Sequence, residues 1–148
     1  MTTPDRKGKR SRRSSARKRA VRVGALKRTS GYEVKWHTKA DVEREAIVDV
    51  NERVAIQNAI AKLEVDGPAL RAPHQSGVKG AAGEGLRELR PRQGRSRWRP
   101  IYRRFGEFFV ILAVAPEAEI DPAGYEGQVR EAQKRRSSLE KALAKKRK

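Results

Sequence analysis

Eight arginines fall between Leu86 and Arg104: Arg87, Arg90, Arg92, Arg95, Arg97, Arg99, Arg103 and Arg104. The alternation around them reads as a β-hairpin. A rigid cationic sheet surface can bind a phosphate backbone and stabilise charge that develops on it. Glu88 and Arg90 stand two apart and so share a face of the first strand, with Leu89 opposite. On the second strand Arg99 and Ile101 share a face, and Trp98, Pro100 and Tyr102 take the other. If Leu89, Trp98 and Tyr102 pack on helices, Arg90 and Arg99 project together from the sheet's open face. The competing arrangement is an ordinary solvated face on which Glu88 pairs with an arginine across strands.

Other chemistries find no support in the residue inventory. The absence of cysteine excludes disulfides, thiolate metal sites and cysteine nucleophiles. The two histidines, His37 and His74, are not at metal-ligand spacing, and neither a Walker-type loop nor a G-x-S-x-G motif is present. Gly80, Gly83 and Gly85 resemble a phosphate-binding loop only superficially, because a strand follows them instead of a helix N-terminus. His74, beside Pro73, could in principle serve as a general acid or base, whereas His37 reads as packing or surface.

A formal charge of +18 on 148 residues exceeds what solubility requires, so a polyanionic partner is expected. Nucleic acid is the first choice, and an anionic membrane surface is the competitor. The longest apolar run, Phe108 to Ala115, is far short of a membrane span and fits a buried strand. The positively charged N-terminus lacks the apolar stretch of a secretory signal, so a cytoplasmic protein is expected.

The elements that must position the arginines can be read from periodicity. Residues 1–30 are Lys, Arg, Ser, Gly and small residues, and read as a disordered basic arm that could anchor the protein to RNA or DNA. Tyr32, Val34 and Trp36 alternate with polar residues as in a half-buried strand. Asp41 to Val65 follows a helical period, and its apolar stripe shifts near Asn51-Glu52, which points to two packed helices. Thr38 or Asp41 could cap the start, and Asp66-Gly67-Pro68 ends the run. Leu70 to Gly85 reads as a surface loop carrying His74 and Lys79.

Next come three segments of a β-meander: Leu86 to Arg92, Arg97 to Phe105 and Glu107 to Ala115. The last is apolar on both faces and should be central, whereas Pro100 in the middle one suits an edge or a bulge. A helix is expected from about Ala123, with a weak stripe of Val129, Ala132, Leu139 and Leu143 that either packs loosely or frays into a second basic arm. The expected class is therefore α+β: a strand, one or two helices, a three-stranded antiparallel meander and a C-terminal helix. The division reads as a basic arm over 1–30, a folded domain over 31–125 and a basic helix or tail over 126–148.

That element order resembles the RelE-like toxin fold of the RelE/ParE superfamily. The run Gly67-Pro68-Ala69-Leu70, Pro73-His74, Val78-Lys79-Gly80, Leu86-Arg87-Glu88-Leu89-Arg90-Pro91 and Trp98-Arg99-Pro100-Ile101-Tyr102 is similar to its HigB-type, phage Gp49-like branch. The resemblance covers about Tyr32 to Tyr125. It implies a type II toxin that cleaves messenger RNA, commonly on the ribosome, and is neutralised by a helix-turn-helix antitoxin. The implied chemistry is in-line attack by a ribose 2′-hydroxyl on the adjacent phosphate, with no metal and no cofactor. Carried over by position, Arg99 is the first choice to stabilise the transition state and Arg90 the second, with a structural pairing of Arg90 to Glu88 as its alternative, and Tyr125 would be a third catalytic group. Lys79 would bind substrate phosphate, with Arg87, Arg103 and Arg104 as further RNA contacts.

One departure stands out. Many relatives place glycine and basic residues after the last strand, where this chain has Ala115-Pro116-Glu117-Ala118-Glu119. Either the activity is altered or lost, or Arg103 and Arg104 supply the missing charge. The alternative reading is a non-catalytic, basic nucleic-acid-binding protein that retains the fold.

Overall fold

The alternation at Tyr32–Trp36 produces β1 (Glu33–Trp36), with Glu33 and Lys35 exposed and Tyr32, Val34 and Trp36 packed on an apolar core. The computed structural model describes residues 31–147. The basic arm expected over 1–30 lies outside the described residues.

The stripe shift near Asn51 marks a true break. Asp41 to Val65 folds as α1 (Thr38–Glu45) and α2 (Val50–Asp66), each opened by a side chain that accepts an otherwise unpaired amide. The cap of α1 is His37, not Thr38 or Asp41: its Nδ1 accepts from the Lys39 N–H at 3.1 Å. Asp49 does the same for Asn51 at 2.9 Å. Such caps contribute about 1 kcal/mol each. Gly67 ends α2 at φ 54°, and a Cβ there would stand 2.3 Å from the Tyr32 ring, so this stop needs glycine twice over.

The sheet continues through β2 (Gln75–Gly77), β3 (Arg87–Leu89), β4 (Trp98–Phe105) and β5 (Phe108–Pro116), and the described chain ends in α3 (Pro122–Arg147). The strand order is β1-β5-β4-β3-β2, with β1 parallel to β5 and every other pair antiparallel. The α+β class and the meander of β3, β4 and β5 follow the expectation, and β5 is internal, between β1 and β4, with β4 in the middle position. Pro100 is tolerated on internal β4 because the pairing with β3 covers only Tyr102 and Ile101. The segment read as a loop departs from expectation, since it contributes edge strand β2 through Gln75, Ser76 and Gly77. Three residues with no apolar alternation carry no strand signal, and the pairing with β3 alone fixes them.

Both faces of the sheet are covered. Leu89, Tyr102, Phe109, Ile111 and Val114 pack against Ile56, Ala59, Ile60 and Leu63 of α2. On the other side Ile101, Val110, Leu112, Ala113 and Ala115 pack against Val129 and Ala132 of α3, with Tyr125 and Leu139 beside them. The helix α3 is therefore docked, and it runs unbroken through Tyr125. Among the described residues, no helix is long and apolar enough to cross a membrane.

The polar link between α1 and α3 completes an interrupted sheet edge. The pairing of β1 with β5 reaches Ile111, which leaves the next backbone groups of β5 without a strand partner. Glu43 Oε1 accepts from the Val114 N–H at 3.0 Å, Arg135 donates to the Leu112 carbonyl at 2.8 Å, and Gln128 donates to the Val114 carbonyl at 3.0 Å. Glu43 and Arg135 also pair with each other at 2.9 Å. Burial pushes the Glu43 carboxyl up, but hydrogen bonds from Arg135, the Val114 amide and Gln128 outweigh it and hold the group below its ordinary value. A depressed carboxyl contributes stability above its unfolded pKa and loses it as pH falls through the folded value. Wild type is therefore expected to be more stable than Glu43→Gln at pH 7, and to lose that advantage as pH drops below the ordinary carboxylate range. Urea midpoints of both proteins across pH 7 to 2 check this, and a pH-independent gap would contradict it.

Candidate functional site

The catalytic candidates Arg90, Arg99 and Tyr125 meet around one carboxylate, that of Glu88. Strand β3 turns this side chain toward α3, where only 6% of the residue is exposed. Its Oε1 accepts from the Tyr125 hydroxyl at 2.5 Å. Its Oε2 accepts from Arg90 Nη1 at 3.2 Å and from Ser76 Oγ at 3.4 Å, and lies 3.7 Å from Arg99 Nε. Tyr125 comes from the first turns of α3, so Glu88 fastens that helix to the sheet. Burial first, then the hydrogen bond and charge of Glu88, raise the Tyr125 hydroxyl well above its ordinary pKa. It is a hydrogen-bond donor at neutral pH, not a ready base.

Arg99 is placed otherwise than expected. Strand alternation alone would project it with Arg90 from an open face, but α3 covers that face and Arg99 is 1% exposed. Its Nη1 donates to the carbonyls of Ser96 at 2.5 Å and Trp98 at 3.0 Å, and its Nη2 to the Gly94 carbonyl at 3.0 Å and Glu117 at 2.9 Å. Burial and then the neighbouring Arg90 push its pKa down, while Glu117 and Glu88 oppose them. A buried guanidinium is tolerable only when paired and hydrogen-bonded, and this one is. It organises the Pro91–Gly94 turn and the end of β5, and offers no free edge to a phosphate. The competing arrangement considered from sequence, with Glu88 paired to arginines, is the one observed. Glu117, first met as a departure after the last strand, is part of the same pairing.

Arg90 differs, with a third of its side chain exposed. A Cβ at Gly94 would stand 2.8 Å from Arg90 Nη2, so the guanidinium lies close over that glycine. It is the cation of the cluster that solvent reaches.

The expected RNA contacts divide. Arg87, Arg103 and Arg104 line one groove of about 1010 Å³ where the loop before β3 diverges from the end of β4. Its walls include Gly67, Leu70, Gly85, Tyr102 and Phe109. Arg87 bonds through Nε to Gln75 at 2.5 Å, Arg104 through Nε to the Gly106 carbonyl at 2.7 Å, and Arg103 through Nη1 to the Gly85 carbonyl at 2.8 Å. These bonds fix the three stems along the groove. Burial raises the Tyr102 hydroxyl above its ordinary value, and the adjacent Arg87 opposes that shift. Lys79 is exposed on the loop between β2 and β3 and is not among the residues lining the groove. His74 lies elsewhere, in a cleft shared with Arg90 and Arg92.

Sequence reasoning did not identify Ser76 and Ser96 as parts of the network. Ser96 Oγ donates to Glu52 of α2 at 2.5 Å and accepts from the Trp98 N–H at 3.1 Å, so it ties the turn to the helix layer. A small polar residue in a basic turn carries no signal of such a role. Among the described residues, no group of three or more His, Asp or Glu side chains is arranged to hold a metal ion.

No family model matches the chain, and none of the curated proteins matches it. Among solved structures the chain is similar to a mutant of E. coli toxin RelE in the free state. The two share 15% identity, over 62% of this chain and 88% of that chain, at a TM-score of 0.45.

Proposed function

We propose that this protein is a toxin of the RelE superfamily, on its HigB-like branch, that engages messenger RNA on the ribosome and cleaves it by in-line attack of a ribose 2′-hydroxyl. The observation that carries the reading is the groove lined by Arg87, Arg103 and Arg104, with Arg90 just beyond the end of β3. In this reading the scissile phosphate lies at Arg90, the cation of the Glu88 cluster that solvent reaches. Charge accumulates on the phosphate as the bond to the 5′-oxygen breaks, so a cation placed there favours the transition state over the ground state. Arg90 takes the direct role; Arg99 and Tyr125 act through Glu88 and the turn as positioning residues. A helix-turn-helix antitoxin encoded beside it and action in the cytoplasm belong to the same proposal.

Binding without cleavage is the second reading, favoured by one observation. Glu88 and Glu117 together neutralise Arg99, and Glu88 occupies the Tyr125 hydroxyl. Incubating the full chain with translating ribosomes and mapping transcript ends separates the two. New ends from wild type, strongly reduced by Arg90→Ala, are the expected result. Ribosome or transcript binding with no new ends establishes the binding-only reading.

A further inference from the structure

A second concave site lies away from the groove, between α2 and the Pro91–Gly94 turn, with a volume of about 280 Å³. One wall is a stripe of α2 with Asn51, Asn58 and Lys62; the other carries His74, Arg90 and Arg92. Ala55, Ala59 and Pro91 are buried among its lining residues and give it an apolar floor. The chemistry is mixed in a particular way: a small apolar surface, two primary amides able both to donate and to accept, and three permanent cations.

The turn that forms one wall is held in place at a conformational cost. Arg92 and Gln93 both adopt φ 58°, in the left-handed region that residues with a Cβ rarely occupy. Glu52, a buried acid on α2, secures the turn by accepting from Ser96 and by pairing with Arg92 at 3.5 Å. Arg99 secures it from the other side through the carbonyls of Gly94 and Ser96. The result is a rigid loop that presents Arg92 across from the amides of α2.

A helix with side chains is roughly 10–12 Å across, so a cleft of about 280 Å³ is too small to receive one. It matches a single flat ring with an anionic group attached. Asparagine amides pair with base edges through one donor and one acceptor. Arginine and lysine pair with phosphate.

We propose that this cleft is a nucleotide-binding subsite, in which Asn51 and Asn58 read the base edge while Arg90, Arg92 and Lys62 hold the phosphate. Arg90 follows the end of β3, three residues and at most about 10 Å of extended backbone after Arg87, so a single RNA strand of a few nucleotides is long enough to reach from the groove to the cleft. That last step rests on the RNA reading above; recognition of a nucleotide does not.

The test is titration of the full-length, isotope-labelled protein with the four 5′-mononucleotides, inorganic phosphate, a hexaglutamate peptide and short oligoribonucleotides, followed by NMR. The expected result is shifts of the Asn51 and Asn58 side-chain amides and of residues 90–94, with affinities that differ among the four bases. Asn58→Ala and Arg92→Gln change exposed side chains; Asn58→Ala should reduce the spread among bases about tenfold, and Arg92→Gln should weaken all four. The proposal is overturned if the cleft does not respond, or if inorganic phosphate or hexaglutamate matches the mononucleotides in site and affinity. Mononucleotide binding without oligonucleotide binding would sink the RNA reading and leave the subsite standing as a site for free nucleotides. Oligonucleotide shifts confined to Arg87, Arg103 and Arg104 would sink the subsite and leave the RNA reading.

Discussion

Replacing Arg99 with alanine is expected to destabilise the folded domain by about 3–5 kcal/mol, the usual consequence of removing one partner from a buried ion pair. The substitution leaves the carbonyls of Gly94, Ser96 and Trp98 without their donor, and Glu117 and Glu88 without their central cation. Against a total stability of roughly 5–15 kcal/mol, that loss is large enough to deplete the native state at growth temperature. Urea unfolding measures it directly: the midpoint should fall with little change in slope. A midpoint equal to wild type would refute the structural role. Arg90→Ala should cost far less, about 1 kcal/mol, because its side chain is a third exposed and Glu88 retains Tyr125, Ser76 and Arg99. The pair therefore separates two meanings of lost activity. A defect in Arg99→Ala that tracks its unfolded fraction reports folding, whereas a defect in well-folded Arg90→Ala reports chemistry.

The second large effect concerns salt. Neutralising the groove with Arg87→Gln, Arg103→Gln and Arg104→Gln should weaken single-stranded RNA binding by roughly 10- to 100-fold at low salt. It should also flatten the dependence of log affinity on log salt concentration by about 2, given a slope of about 0.7 per phosphate contact on a single strand. The full chain should retain a substantial residual slope, because its formal charge of +18 is carried by many basic residues besides these three. An unchanged slope in the triple variant would remove the groove from the RNA path. Arg95→Gln and Arg97→Gln, at exposed positions outside the groove lining, provide the comparison.

Much of the architecture was legible in the sequence because it depends on period. The alternation of Tyr32, Val34 and Trp36, the stripe shift at Asn51 and the two-sided apolar run ending at Ala115 each specify an element through which residues must face a core. Strand β2 was not legible, since Gln75, Ser76 and Gly77 bury little and exist as a strand only by pairing with β3. The His37 cap was missed for a similar reason, because imidazole is an uncommon cap and its role depends on the rotation of one ring.

The candidate site was only partly legible. Strand alternation correctly put Glu88, Arg90 and Arg99 near one another. It could not say whether that face was open, because the weak stripe of α3 left its docking undecided. Once Val129 and Ala132 pack on the sheet, the arginine beneath must be paired or lost, and Glu88 and Glu117 supply the charge.

The sequence alone determined the cationic surplus, the order of the helices and of every strand but β2, and the placing of eight arginines on one hairpin and its turn, since these follow from composition and local periodicity. Only the tertiary structure decided which arginine is which. Burial beneath α3 makes Arg99 a structural cation, while solvent access leaves Arg90 and the groove of Arg87, Arg103 and Arg104 able to meet a phosphate. The physical reason is that desolvation depends on what covers a side chain, and that cover comes from residues distant in sequence.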